Sequence, residues 1–320
     1  MDPLLQHALL IAVSVPMLYF GAEVLVSGSS ALARELRIRA SVIGLTVVAF
    51  ATSGPEFVVG VVATLKGVQD VTVGDVIGAN VANCGLIIGV SALLRPLTVS
   101  RVTARREVPI TISAQIVLFV FALTSYTITR LEGFLLLAIL VAFIGYMIRT
   151  AKDDTRVRVE GDPPRTAART ALLVLRTVAG IALLVSGGYL LVGSATFVAE
   201  KAGITQLTIG ATLVAFLTTV PELATSVIAA RRGEGEIAVG NAIGSIFFNT
   251  ACVLGTAAAI SPIAVVRDTA LIKIPIMIAL LVLLAVLLLG DLRISRREAV
   301  FLLACYVGFV VYSILSNGAS

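Results

Sequence analysis

GLTVVAFATSGPE, residues 44–56, is written again at residues 210–222 as GATLVAFLTTVPE, with eight of thirteen positions identical. Each copy closes on a proline and a glutamate. Glu56 is the sole charged residue between Arg39 and Lys66, and Glu222 the sole one between Lys201 and Arg231. An acid inside an apolar run of that length is costly in a bilayer and marks an ion or proton pathway. Two such acids in matching places point to a transporter built from two related halves.

The repeat extends well beyond the two glutamates. At a constant offset of 166 residues, Gly44 falls on Gly210, Thr52 on Thr218, Pro55 on Pro221 and Glu56 on Glu222. Further along, Gly74 falls on Gly240, Gly78 on Gly244, Asn83 on Asn249, Pro96 on Pro262 and Pro109 on Pro275.

Composition gives the solvent. Hydrophobic residues are 58% of the chain, charged residues 13%, and the mean hydropathy is +1.04. The apolar runs reach about 20 residues, enough to cross a hydrocarbon core of about 30 Å. Runs bounded by charges predict ten membrane helices, near 4–30, 41–65, 72–94, 108–129, 132–149, 170–200, 207–230, 237–260, 270–289 and 298–316. The expected fold is an all-α polytopic membrane protein of ten transmembrane helices. Residues 1–149 form the first five-helix repeat, 150–169 a charged linker with a Pro-Pro pair, and 170–320 the second repeat. Five spans per half is odd, so the halves enter the membrane from opposite sides and form inverted repeats.

The basic residues set the orientation. With the N-terminus outside, the inside loops hold eighteen Lys and Arg and the outside loops five. The positive-inside rule then puts both termini on the non-cytoplasmic face and the linker in the cytoplasm. A multi-pass protein of the cell membrane is expected, with the lipid bilayer as its surroundings. The net charge of +5 resides in short loops, so nucleic acid is not expected as a partner. No protein partner is predicted, and a linker of about 20 residues is too short for a folded regulatory domain. The N-terminus MDPLLQHALL lacks a basic n-region and a cleavage site, so the first run is expected to remain as a helix. Cys84, Cys252 and Cys305 lie inside apolar runs without metal spacing, and His7 is the one histidine. No cofactor and no enzymatic activity are expected, since no HExxH or GxSxG motif occurs in the spans.

The chemistry lies in the repeated motifs. Thr52 and Ser53 precede Glu56, and Thr218 and Thr219 precede Glu222. Thr52 and Glu56 are one turn apart on one helix face, as are Thr218 and Glu222. Pro55 and Pro221 donate no backbone hydrogen bond, which frees the carbonyls of Ala51 and Leu217 and bends the helix. The following span carries VGDVIGANVANCG at 73–85 and VGNAIGSIFFNTA at 239–251. Its glycines mark close helix packing. Asn83 and Asn249, one turn beyond Ala79 and Ser245, offer amide oxygens to an ion held by the two glutamates. Carboxylate, hydroxyl and amide oxygens suit calcium or sodium. Glu23 lines an access path or reaches the interface; both readings stand. Asp75, matched by Asn241, is expected at the start of its helix, as an N-cap or in contact with the helix dipole.

These paired motifs resemble the alpha-repeats of the sodium/calcium exchangers, within the cation/calcium exchanger superfamily, and the resemblance covers essentially the whole chain. It implies a cluster of four cation sites at the membrane centre, with ligands from the second, third, seventh and eighth helices. The first and sixth helices would slide as gates. It makes Glu56 and Glu222 the principal calcium ligands, with Thr52, Ser53, Thr218, Thr219, Asn83, Asn249 and Ser245 around them. Ala49 and Ala215 would lend backbone carbonyls. Calcium and sodium are the implied transported ions, exchanged by antiport with calcium leaving the cytoplasm. A calcium/proton antiporter using the same glutamates and a cation channel are the alternatives. The sequence departs from the pattern at Ala79, where a serine is usual, and at Gly54, Val220 and Ile246. With asparagine at both 83 and 249, the centre is expected to carry at most two negative charges.

Overall fold

The two longest apolar runs become the two longest helices, and they pack on each other along their length. The computed structural model describes residues 2–151, 166–202 and 214–317. In it α1 (Pro3–Leu36) lies antiparallel to the first helix of the second half, Ala167–Lys201. Gly28 meets Thr177, Gly21 meets Leu184 and Gly187 meets Leu18. A methyl group on Gly21 would stand 2.7 Å from the Leu184 nitrogen, so the backbones touch only because the side chain is absent. Near the far ends of the two helices His7 stacks on Phe197, ring centroids 3.9 Å apart.

Helix is forced on the rest of the chain because lipid offers no hydrogen bonds to the backbone. After α1 come α2 (Ala40–Thr52) and α3 (Gly54–Leu65), bent by 47° as one broken span. Then follow α4 (the apolar span Val71–Leu94 of a helix that opens at Gln69), α5 (Thr103–Ser125) and α6 (Arg130–Arg149). The second half runs α7 (Ala167–Lys201), α8 (Ala215–Thr218), α9 (Val220–Arg232), α10 (Gly235–Ile260), α11 (Thr269–Asp291) and α12 (Arg296–Asn317). Among the described residues, eight helices are long and apolar enough to cross a membrane, and the bent pair makes a ninth span. The expected tenth, 207–230, begins outside the described residues, as does Gly210, and most of the 150–169 linker lies outside them too.

Four two-residue strands fix how the halves are related. β1 (Leu97–Thr98) pairs antiparallel with β4 (Arg293–Ile294), and β2 (Thr127–Ile128) with β3 (Ile263–Ala264). β1 and β2 flank α5, whose 23 residues rise about 35 Å, so they mark opposite ends of the bundle. At the repeat offset β3 is the counterpart of β1, and β4 of β2. Each strand therefore pairs with the strand from the other half that is not its counterpart. Equivalent loops sit at opposite ends, and the expected inversion is present.

α4 and α10 are the inner pair, buried over most of their length. The expected close packing appears where α10 crosses α2: a methyl on Gly240 would lie 3.0 Å from the Ser41 carbonyl, and one on Gly244 2.6 Å from that of Leu45. The symmetric counterpart of this contact, around Gly74 and Gly78, would involve the stretch from Gly210, which is outside the described residues.

Candidate cation site

Proline does more than bend the helix. α2 stops at Ser53, whose ψ of 10° leaves the helix, and α3 restarts with Pro55 in its first turn. The second half does the same at Thr219, with Pro221 in the first turn of α9. Glu56 and Glu222 thereby sit in the first turns of α3 and α9, where free N–H groups and the positive end of the helix face them. The next span is also distorted in register with the repeat. Asn83 opens one π-helical turn (Asn83–Ile87) and Asn249 opens another (Asn249–Leu254). Such widened turns recur at functional sites because they displace one residue from the regular ladder.

The side chains converge from four spans. Thr52, Ser53, Glu56, Asn83, Thr218, Thr219, Glu222, Ser245 and Asn249 are all buried. Ser53 Oγ donates to Glu222 Oε1 at 3.1 Å, from one half to the other, and Ser245 Oγ approaches the same oxygen at 3.5 Å. Thr52 Oγ1 lies 3.2 Å from the Ala49 carbonyl, 3.0 Å from Asn241 Oδ1 and 3.4 Å from Ser245 Oγ. The Ala49 carbonyl also accepts the Ser53 N–H at 3.0 Å. Thr219 turns back to the Phe216 carbonyl at 2.8 Å. The backbone of Ala215 starts α8; its side chain is outside the described residues.

What remains after these bonds defines the chemistry. Glu56 Oε1 and Oε2, Glu222 Oε2, Asn83 Oδ1, Asn249 Oδ1 and Asp75 Oδ2 are buried oxygens with no hydrogen-bond donor. Buried acceptors without donors are expensive, and carboxylates more so. Bound cations would supply the partners these oxygens lack. All six atoms are hard oxygens, the donor type of sodium and calcium sites. Among the described residues no three His, Cys, Asp or Glu side chains close on one point, so a ligand shell here mixes carboxylate with amide and hydroxyl.

Asp75 corrects an expectation. Its helix opens at Gln69, earlier than the apolar pattern indicates, so Asp75 lies in the second turn and caps nothing. It is buried, and Oδ1 accepts from Thr218 Oγ1 at 3.4 Å. Its counterpart Asn241 accepts from Thr52 and donates to Ser226 Oγ and the Glu222 carbonyl, so the two positions are symmetric in contact and unequal in charge. Asp75 thus adds a third buried acid beside the two glutamates' helices, joined to the candidate site through Thr218. The signal was an Asp matched with an Asn inside the repeated motif. Asn80, in contact with Asn249, was also missed because its repeat mate is Ile246. Glu23 is not brought to the cluster: it is partly exposed and ion-paired with Arg232 at the end of α9.

Broken helices meeting around buried oxygens, within inverted repeats, form the architecture of secondary transporters. A family model described as sodium/calcium exchanger protein matches residues 6–149 and 172–315. The chain belongs to the sodium/calcium exchanger family. CaxA of Alkalimonas amylolytica is 38% identical over 317 residues, 96% of this chain and 98% of that protein. The sodium/calcium exchanger MaX1 of Methanosarcina acetivorans is 29% identical over 342 residues, covering 95% and 97%. In fold, the solved sodium-calcium exchanger NCX_Mj matches with a TM-score of 0.86 at 24% identity, over 96% of this chain and 99% of that one.

Proposed function

We propose that the protein is an antiporter that exchanges sodium for calcium by alternating access and moves calcium out of the cytoplasm. The observation that carries this reading is the set of six buried, donorless oxygens shared between the two halves. Glu56 and Glu222 are the principal calcium ligands. Asn83, Asn249, Thr52, Ser53, Thr218, Thr219 and Ser245 complete overlapping sodium and calcium positions, with Ala49 and Ala215 as backbone contributors. Sodium and calcium compete because they need the same oxygens. Only an occupied centre relieves the repulsion among the acids, so only an occupied protein switches faces.

Charge also bears on the sodium load. Glu56, Glu222 and Asp75 together balance up to three monovalent cations, where the two glutamates alone balance two or one calcium. The N- and C-termini face away from the cytoplasm. The strand pairing supports this orientation: β1 and β4 hold the Arg-rich stretches 95–106 and 293–297 at one end. The complete burial of the ligands favours a carrier over an open channel.

The test is calcium-45 uptake into proteoliposomes loaded with sodium, against vesicles loaded with potassium and carrying a pH gradient. Uptake that requires internal sodium is the expected result. Uptake driven by protons alone would make the protein a calcium/proton antiporter, and uptake that needs no counter-ion would make it a channel.

A further inference from the structure

Asn249 Oδ1 is buried without a donor, yet an amide can as easily present its N–H₂ group at such a position. The three residues behind it, Gln115, Thr250 and Asn80, form a chain of hydrogen bonds with a fixed direction. At its far end Gln115 Nε2, on α5, points at the Ile246 carbonyl at 3.5 Å. A backbone carbonyl only accepts, so the Gln115 amide is held with its oxygen on the other side. That oxygen accepts from Thr250 Oγ1 at 2.8 Å. With its single proton committed, Thr250 can only accept from Asn80, and Asn80 Nδ2 stands 3.1 Å away. Asn80 Oδ1 is then left to face Asn249 Nδ2 at 3.3 Å. Asn249 Oδ1 is turned away from this chain, buried and without a donor. All four side chains are fully buried, so water does not compete for any link.

The first half reaches the same end by a shorter route. Asn83 Nδ2 donates to the Ala79 carbonyl at 2.9 Å, and its Oδ1 is likewise bare. In both halves the amide nitrogen is tied and the oxygen is free.

We propose that Gln115, Thr250 and Asn80 form a polar relay that positions Asn249, holding its carbonyl oxygen toward the cation and its N–H₂ group away from the carboxylates. The proposal rests on the reading of the centre as a cation site. The relay matters most when the centre is empty. A free amide would then turn its N–H₂ group onto a bare carboxylate oxygen, forming a charge-assisted hydrogen bond that a cation must break. The apparent affinity falls by the fraction of molecules in the turned state.

The test uses the full chain in detergent and reads thermal unfolding while calcium chloride or sodium chloride is titrated. Thr250→Val removes the relay hydroxyl at constant shape, Thr250→Ser restores it, and Asn80→Leu removes the acceptor for Asn249. Calcium dissociation constants raised about tenfold in Thr250→Val and Asn80→Leu, and recovered in Thr250→Ser, are expected from the loss and return of the orienting bonds. Should Asn80→Leu fail to fold, the Thr250 pair decides alone. A role in packing only would lower the ion-free unfolding temperature and leave the calcium constant unchanged, which overturns the relay. Loss of affinity in Thr250→Ser equal to that in Thr250→Val also overturns it. Absence of any calcium- or sodium-dependent stabilisation in the unmodified chain overturns the cation-site reading as well.

Discussion

The Thr218 hydroxyl donates to Asp75 across the interface between the halves, at 3.4 Å, where its repeat mate Thr52 meets the neutral Asn241. One charge therefore breaks an otherwise symmetric pair of contacts. If that charge balances sodium, Asp75→Asn weakens sodium more than calcium. The half-saturating sodium concentration for calcium release from vesicles should rise several-fold, and the steepness of the sodium curve should fall. A sodium curve that superposes on the wild type would remove Asp75 from the ion balance.

Glu56 and Glu222 are wholly buried, and three of their four oxygens have no donor. Burying an unpaired charge destabilises the fold, so neutralising one should stabilise the ion-free protein while it destroys function. For Glu56→Gln and Glu222→Gln, sodium-driven calcium uptake should fall at least about a hundredfold, and ion-free stability should rise by roughly 1–3 kcal/mol. Thermal unfolding and transport on the same preparations check both halves of this expectation.

α1 is tied to the α9–α10 corner by polar contacts at one end: Glu23 with Arg232, and Ser30 and Arg34 with Glu234. Both ion pairs are partly exposed, so each is worth at most about 1 kcal/mol in stability. Their effect should appear in the motion of α1. Glu23→Gln should change the exchange rate several-fold and leave the equilibrium calcium affinity as it was, which stopped-flow transport and binding titrations distinguish.

A side chain at Gly244 collides with backbone, since its Cβ would lie 2.6 Å from the Leu45 carbonyl, whereas Gly290 has nothing within 4 Å. Gly244→Ala should cost about 1–3 kcal/mol of stability through overpacking of α2 against α10. Gly290→Ala, inside α11, should be neutral or slightly stabilising. Denaturation of the two variants in detergent gives the comparison.

The architecture was legible in the sequence because its determinants are local or repeated. Apolar length set the spans, the 166-residue offset exposed the halves, and a lone acid beside each proline marked the centre. The less legible parts depend on contacts between distant positions. Asp75 reads as a helix cap because Gln69 and Asp70 break the apolar pattern while continuing the helix. Its partner Thr218 is 143 residues away. The orientation of Asn249 depends on Gln115, which the repeat does not mark because its mate is Leu281. Symmetry finds what the halves share, and these residues are where they differ.

The most direct measurement is anomalous diffraction from crystals of the full chain soaked in strontium, a divalent scatterer that takes oxygen ligands as calcium does. The expected result is a dominant peak inside the bundle within about 2.7 Å of both a Glu56 and a Glu222 oxygen, slightly beyond calcium–oxygen distances. A peak confined to the exposed acids near Glu23 and Glu234, with none between the two buried glutamates at saturating strontium, would contradict it.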